Sequence, residues 1–249
     1  SAASDVYKRQ CFNNKANMKK STDYYVPRLY DFLTRLHANN NREWFHQHRA
    51  EYDDLRALWM ADIDRLIAHM ATWDASLGAF TAKNCVYRIY RDTRFSLDKT
   101  PLKTYFSASV SPHGRAPHYG GYYLQMGPDF GGAYTDSGLF GGIWCPDPAV
   151  LKKLRKAIVD NIEEFEEIIN RPEMVKEFPG WCGSALKTVP KGYDRNHPQA
   201  HLLRLKDYGK FHPCNEAFFS DPSWPEHASE LFSILKPLVD FLNYSVEEE

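Results

Sequence analysis

The sequence predicts an α+β fold: an antiparallel sheet of at least four strands flanked by N-terminal and C-terminal helices. Three observations carry this expectation. Apolar residues step by three and four along residues 29–70. Residues 104–146 then hold nine of the 14 glycines and nine aromatics but only three charged residues, Arg115, Asp129 and Asp136. Helical stepping returns over residues 151–169 and again over 231–242.

The first helix is expected to start near Pro27, with Leu29, Phe32, Leu33 and Leu36 as its buried stripe, and to stop at Asn39, Asn40 and Asn41. One of these asparagines can cap a second helix, read as one element of about 30 residues that buries Phe45, His48, Tyr52, Leu55, Trp59, Ile63, Leu66 and Met70. In the glycine-rich region Phe106, Ala108 and Val110 alternate with Tyr105, Ser107 and Ser109. Tyr122, Leu124 and Met126 likewise alternate with Tyr123 and Gln125. Cys85 to Arg91 is expected as a further strand ahead of them.

Asp147 followed by Pro148 predicts a capped helix start, and Leu151, Leu154, Ile158, Ile162, Phe165 and Ile169 extend one helix to Arg171-Pro172. Residues 172–222 contain six prolines and no clear period. Ser223-Trp224-Pro225-Glu226 reads as a capping box for a last helix kinked at Pro237.

With 249 residues and roughly 150 per domain, a single domain over residues 21–249 is expected. Residues 1–20 carry a net charge of +4 and no period. Their opening SAASDVYKRQ is similar to translated sequencing-adapter read-through, so they are expected to be a non-native or disordered extension, with Met18 as the start. A net charge of -1 makes a general nucleic-acid or membrane-surface role unexpected, and 43% apolar residues argue against disorder. No apolar run is long enough for a spanning helix, so a cytoplasmic protein is expected. The five cysteines lie 74, 60, 37 and 32 residues apart, which fits neither a disulfide framework nor a zinc site.

Chemistry concentrates in Arg88 to Lys103, with five basic and two acidic residues in 16. Arg88, Arg91, Arg94, Lys99 and Lys103 offer guanidinium forks and ammonium charges for a carboxylate or phosphate. The alternative is internal pairing with Asp92 and Asp98. A second group, Lys191, His197, Arg204 and Lys206, comes from the late segment, and at least one of its members is expected within reach of the early one. Asp92, Asp98 and His197 are the candidate catalytic groups. The helix after Asp147 carries Lys152, Lys153, Arg155 and Lys156 early and Asp160, Glu163, Glu164, Glu166 and Glu167 late, the reverse of what its dipole favours. An anion near its start would explain that order, as would a solvated face. His197 and His201 stand four apart, but without an H-E-x-x-H glutamate they make no metal set, and no motif names a cofactor.

Several stretches taken together resemble a known bacterial family, domain of unknown function 2461. They are NNNREWFHQHRAEYDDL, YRIYRDTRFSLDKTPLKTYF, GGYYLQMGP, GLFGGIWCPDPAVLKKLRKAI, LKTVPKGYDRNHPQAHLLRLK and LKPLVDFLN. The resemblance spans nearly all of residues 27–244 and is densest at Arg88 to Lys103 and at Pro190 to Lys206. It departs at Leu102, where the family pattern has Tyr. It implies a fold and a cytoplasmic setting but no mechanism.

Two functional readings follow. One is a protein, enzymatic or not, that binds a small phosphorylated or carboxylated ligand through the Arg/Lys cluster. The other is a non-catalytic module that binds protein or single-stranded nucleic acid through the basic loop and the tyrosine sheet. A concave pocket joining Arg88, Arg94, Lys99 and His197 would favour the first. A convex basic strip would favour the second.

Overall fold

The computed structural model describes residues 24–114, 116, 118–131 and 137–248; the expectation for residues 1–20 lies outside them. Helix α1 (Val26–Ala38) carries Pro27 in its first turn and buries Leu29, Phe32, Leu33 and Leu36. The next helix is two. Asn41 Oδ1 accepts the Trp44 N–H at 2.9 Å and caps α2 (Arg42–Gln47), and α3 (Arg49–Met70) begins after a break at His48. The break puts the His48 ring parallel to Trp44, 3.9 Å between centroids, with Nδ1 2.8 Å from the Trp44 carbonyl. A short 3-10 turn (Ala75–Ala79) and α4 (Ala82–Cys85) lead to the sheet.

The sheet has four antiparallel strands in order β1 (Phe106–Val110), β2 (Gly121–Met126), β3 (Gly138–Ile143) and β4 (Tyr208–Pro213). The alternation predicted for β1 and β2 holds: Ala108 pairs with Leu124, Leu124 with Leu139, and all three are fully buried. The fourth strand is a correction. It comes from the late, proline-rich segment, whereas Cys85 to Arg91 pairs only through isolated bridges, Val86 to Ala108 and Tyr90 to Leu102. β4 was illegible because Gly209, Lys210 and Pro213 interrupt its apolar pattern. Its pairing depends on the absence of a side chain opposite: Gly142 sits at φ 134°, and a Cβ there would lie 2.1 Å from the Tyr208 carbonyl oxygen.

Helix α5 (Pro148–Asp160) is capped as expected, with Asp147 accepting from the Ala149 and Val150 amides. It ends at Asn161, and a separate helix α6 (Ile162–Ile169) follows, so the single helix to Arg171 is corrected. This break resolves the reversed charge order, because Glu163 and Glu164 occupy the first turn of α6, where the dipole favours them. Two of the early cations are engaged elsewhere. Lys153 Nζ donates to the Val246 and Glu248 carbonyls, and buried Arg155 donates to the Leu205 carbonyl at 2.8 Å.

Helices α7 (Pro172–Glu177), α8 (Ala200–Leu203) and α9 (Glu216–Phe219) are short, and α10 (Trp224–Glu247) runs through Pro237. The capping box at Ser223 is not formed. Ser223 makes no side-chain cap, and Glu226 instead accepts from Arg65 Nη2 at 2.6 Å. α10 packs on α3 and β3, and one continuous apolar core runs from Tyr25 to Leu242. At its edge the buried Asp62 carboxylate accepts from the Tyr24 hydroxyl, from Trp224 Nε1 at 3.2 Å and from Arg65 Nη1 at 3.0 Å. No helix among the described residues is long and apolar enough to cross a membrane.

Candidate functional site

The Arg88 to Lys103 segment folds back on itself at the outer edge of β1. The Arg91 amide donates to the Pro101 carbonyl at 2.9 Å and the Lys103 amide to the Ile89 carbonyl at 2.8 Å. Asn40 anchors the returning arm: its side chain donates to the Leu102 carbonyl at 2.9 Å and accepts the Leu102 amide at 3.1 Å. Leu102 itself is 1% exposed, so the residue that departs from the family pattern fills core. Tyr90 packs edge-on to Phe45, which roots the other arm on α2.

Most charges of the loop close on one another. Arg94 donates to both oxygens of Asp92, with Nη2 to Oδ2 at 2.7 Å, and Arg91 pairs with Asp98 and with Thr100. Lys99 Nζ donates to the Thr93 carbonyl at 2.9 Å. Lys103 lies over Tyr87 and Tyr105, 5.0 and 5.7 Å from their centroids. The Arg94 side chain and then its backbone amide pull the Asp92 carboxyl down to about 2. Asp98 is held at about 2 by the Thr100 amide and then by Arg91. Carboxylates this acidic and this occupied suit ion pairing better than proton abstraction near neutral pH. Arg88 is exposed. Between these pairs, Phe95 is 95% and Leu97 102% exposed, with the Arg94 guanidinium 5.8 Å from the Phe95 centroid.

The late group lies at the other edge. Outside β4, the Cys182 amide donates to the Gly209 carbonyl, and Ala185 bridges Leu205. His197 precedes α8, and its Nδ1 accepts the Gln199 amide at 3.1 Å. Lys191 and Lys206 are exposed, and Arg204 is half-buried beside Leu205. The structure therefore does not bring the two groups together: the width of the sheet separates them, and no hydrogen bond or ion pair among the described residues joins them. Two adjoining apolar runs at opposite ends of the chain would have signalled a shared pocket no better than these cations did, because strand order is not written in either segment.

The profile of a family described as "Conserved hypothetical protein (DUF2461)" matches residues 28–241. The chain belongs to this family. The match covers both edges of the sheet, including every DUF2461 motif noted in the sequence from Arg42 to Lys206. No curated protein and no solved structure matches the chain.

No group of three or more His, Cys, Asp or Glu side chains among the described residues can hold a metal ion. The cysteine side chains differ in setting. Cys85 and Cys214 are buried, Cys182 is half-buried and Cys145 is exposed. Cys145 sits at φ 48°, held there by its amide donating to Asp207 Oδ1 at 2.7 Å. What sequence reasoning missed is the apolar pair Phe95 and Leu97. The available signal was two large apolar residues inside an otherwise charged loop with no partner stripe.

Proposed function

We propose that this protein is a binding module whose contact element is the 91–100 loop, with Phe95 and Leu97 as apolar anchors inside a collar of cations. The partner is a protein that offers an apolar pocket rimmed by carboxylates. The observation that carries this reading is the complete exposure of Phe95 and Leu97 on a loop tied down by its own ion pairs. Two large apolar side chains left in water forgo about 1.5–3 kcal/mol each, and a pre-ordered loop loses less entropy on binding than a free one. Aromatic and Arg residues are also the side chains that dominate interface energetics. Arg88, exposed beside Asp92, together with Arg94 and Lys99 supplies positive charge toward the partner, which keeps anion recognition as the chemistry of the loop. The loop's carboxylates are engaged by Arg94 and Arg91, which supports a binding role over an enzymatic one.

The test is selection from a peptide library against the immobilised protein, with counter-selection against F95S/L97S. Acidic peptides that contain an aromatic or aliphatic anchor should be enriched, should bind the wild type at least tenfold more tightly than the variant, and should weaken as salt rises. Equal binding by the variant, or no enrichment, would overturn the reading.

A further inference from the structure

A concavity lies at the end of the sheet where β2, β3 and β4 meet α1 and α9. It is a cleft of about 780 Å3, within the size range of small-molecule sites. Its walls are aromatic: Phe211, whose ring lies where a side chain on Gly138 would stand, and Phe218. Its ionisable groups among the described residues are Asp129, Glu216, Tyr30 and Cys214, with no Lys, Arg or His lining it. The Cys214 thiol is pushed up to about 12 by burial, so that wall is neutral. Glu216, exposed in the first turn of α9, makes no ion pair among the described residues.

Tyr30 adds the second feature. It is 7% exposed, and its buried hydroxyl lies beside Ser137 and Gly127 but makes no well-formed hydrogen bond among the described residues. Burial raises this phenol to about 12; the Ser137 hydroxyl opposes the rise and the Glu216 carboxylate adds to it. Carboxylate, phenol and ring therefore converge on one space.

We infer that this cleft binds a small organic cation, an amine or quaternary ammonium with an apolar body, placed between the Phe211 and Phe218 rings and neutralised by Glu216. Ring faces attract cations through their quadrupole, and the attraction grows as water is excluded. Glu216 and Asp129 make the same cleft unfavourable for the carboxylates and phosphates that the loop favours. The site is independent of the loop, so either can fail alone.

The experiment is isothermal titration of the full chain with 2-phenylethylamine, its N,N,N-trimethyl derivative, 2-phenylethanol and 3-phenylpropionate. The two cations should bind about tenfold more tightly than the alcohol, and the carboxylate should not bind. E216Q should weaken the cations about five- to tenfold and leave the alcohol unchanged. Its melting temperature should match the wild type, because the side chain is exposed. A Phe-Lys-Phe tripeptide amide with an acetylated N-terminus separates the two sources of the cation. Tighter binding than the free amine identifies a lysine of a protein, weaker binding a free metabolite, and either outcome requires the E216Q loss. Equal affinity for amine and alcohol, unchanged amine affinity in E216Q, or no binding of any probe would overturn the inference.

Discussion

Trp224, at the start of α10, donates its indole Nε1 both to the Tyr24 hydroxyl at 2.8 Å and to the Asp62 carboxylate at 3.2 Å, joining three distant stretches of chain at one buried acid. Asp62 is the acceptor on which this junction depends, since the Tyr24 hydroxyl and Arg65 also donate to it. Replacing it strands buried donors, and stranded donors cost more than the bonds were worth. Asp62→Ala should lower stability by about 2–4 kcal/mol, measured by urea denaturation. Trp224→Phe in the Asp62→Ala background should cost less than in the wild type, which a double-mutant cycle detects. Arg65 is 44% exposed and contributes little of this.

Gly142 tests the pairing of β3 with β4. At φ 134°, and with no room toward the Tyr208 carbonyl, any side chain must displace β4. Gly142→Ala should destabilise by about 3 kcal/mol or more. Gly131 has φ 70° but nothing among the described residues within 4 Å of an added Cβ, so Gly131→Ala should cost about 1 kcal/mol. Equal losses at the two positions in denaturant melts would contradict the placement of β4.

The loop acids set a pH expectation. Both Asp92 and Asp98 titrate at about 2, below the ordinary aspartate value of 3.8. Because the folded value is the lower one, their contribution is complete above 3.8 and disappears as pH falls through about 2. Carboxyl NMR should follow both midpoints. Arg94→Ala should return Asp92 toward 3.8 and leave Asp98 near 2.

Thiol reactivity should follow burial. In a Cys11→Ser background at pH 8, one equivalent of an aromatic disulfide reagent should react with Cys145 well before the others. Burial and then the Asp207 carboxylate raise that thiol, so it should still lag behind a cysteine peptide. Cys182 is pushed up to about 11 by burial and Cys214 to about 12, and both should react only on unfolding. Mass mapping of the first labelled residue decides the order.

Serine at positions 95 and 97 should leave the melting temperature within about a degree, because substitutions of fully exposed side chains rarely exceed about 0.5 kcal/mol. A larger fall in a thermal melt would mean that Phe95 and Leu97 pack in the folded protein.

Local order was legible wherever a side chain's role depends on near neighbours in sequence. The α1 stripe from Leu29 to Leu36, the Asn41 and Asp147 caps and the alternation of Phe106, Ala108 and Val110 all rest on contacts within a few residues. The breaks at His48 and Asn161 escaped because the apolar period continues across them, while each break is decided by backbone angles and by a single stacking or hydrogen-bonding partner.

The sequence by itself determined the α+β class, the starts of α1, α2 and α5, the family and the basic character of residues 88–103. Only the tertiary structure decided the rest. It recruited Tyr208 to Pro213 as the fourth strand, set the two cationic groups on opposite edges, and gathered Tyr30, Phe211 and Glu216 around one cleft. The physical reason is that strand order and cavity shape follow from how whole elements share one buried core. Residues far apart in the chain meet there without leaving any periodicity of their own.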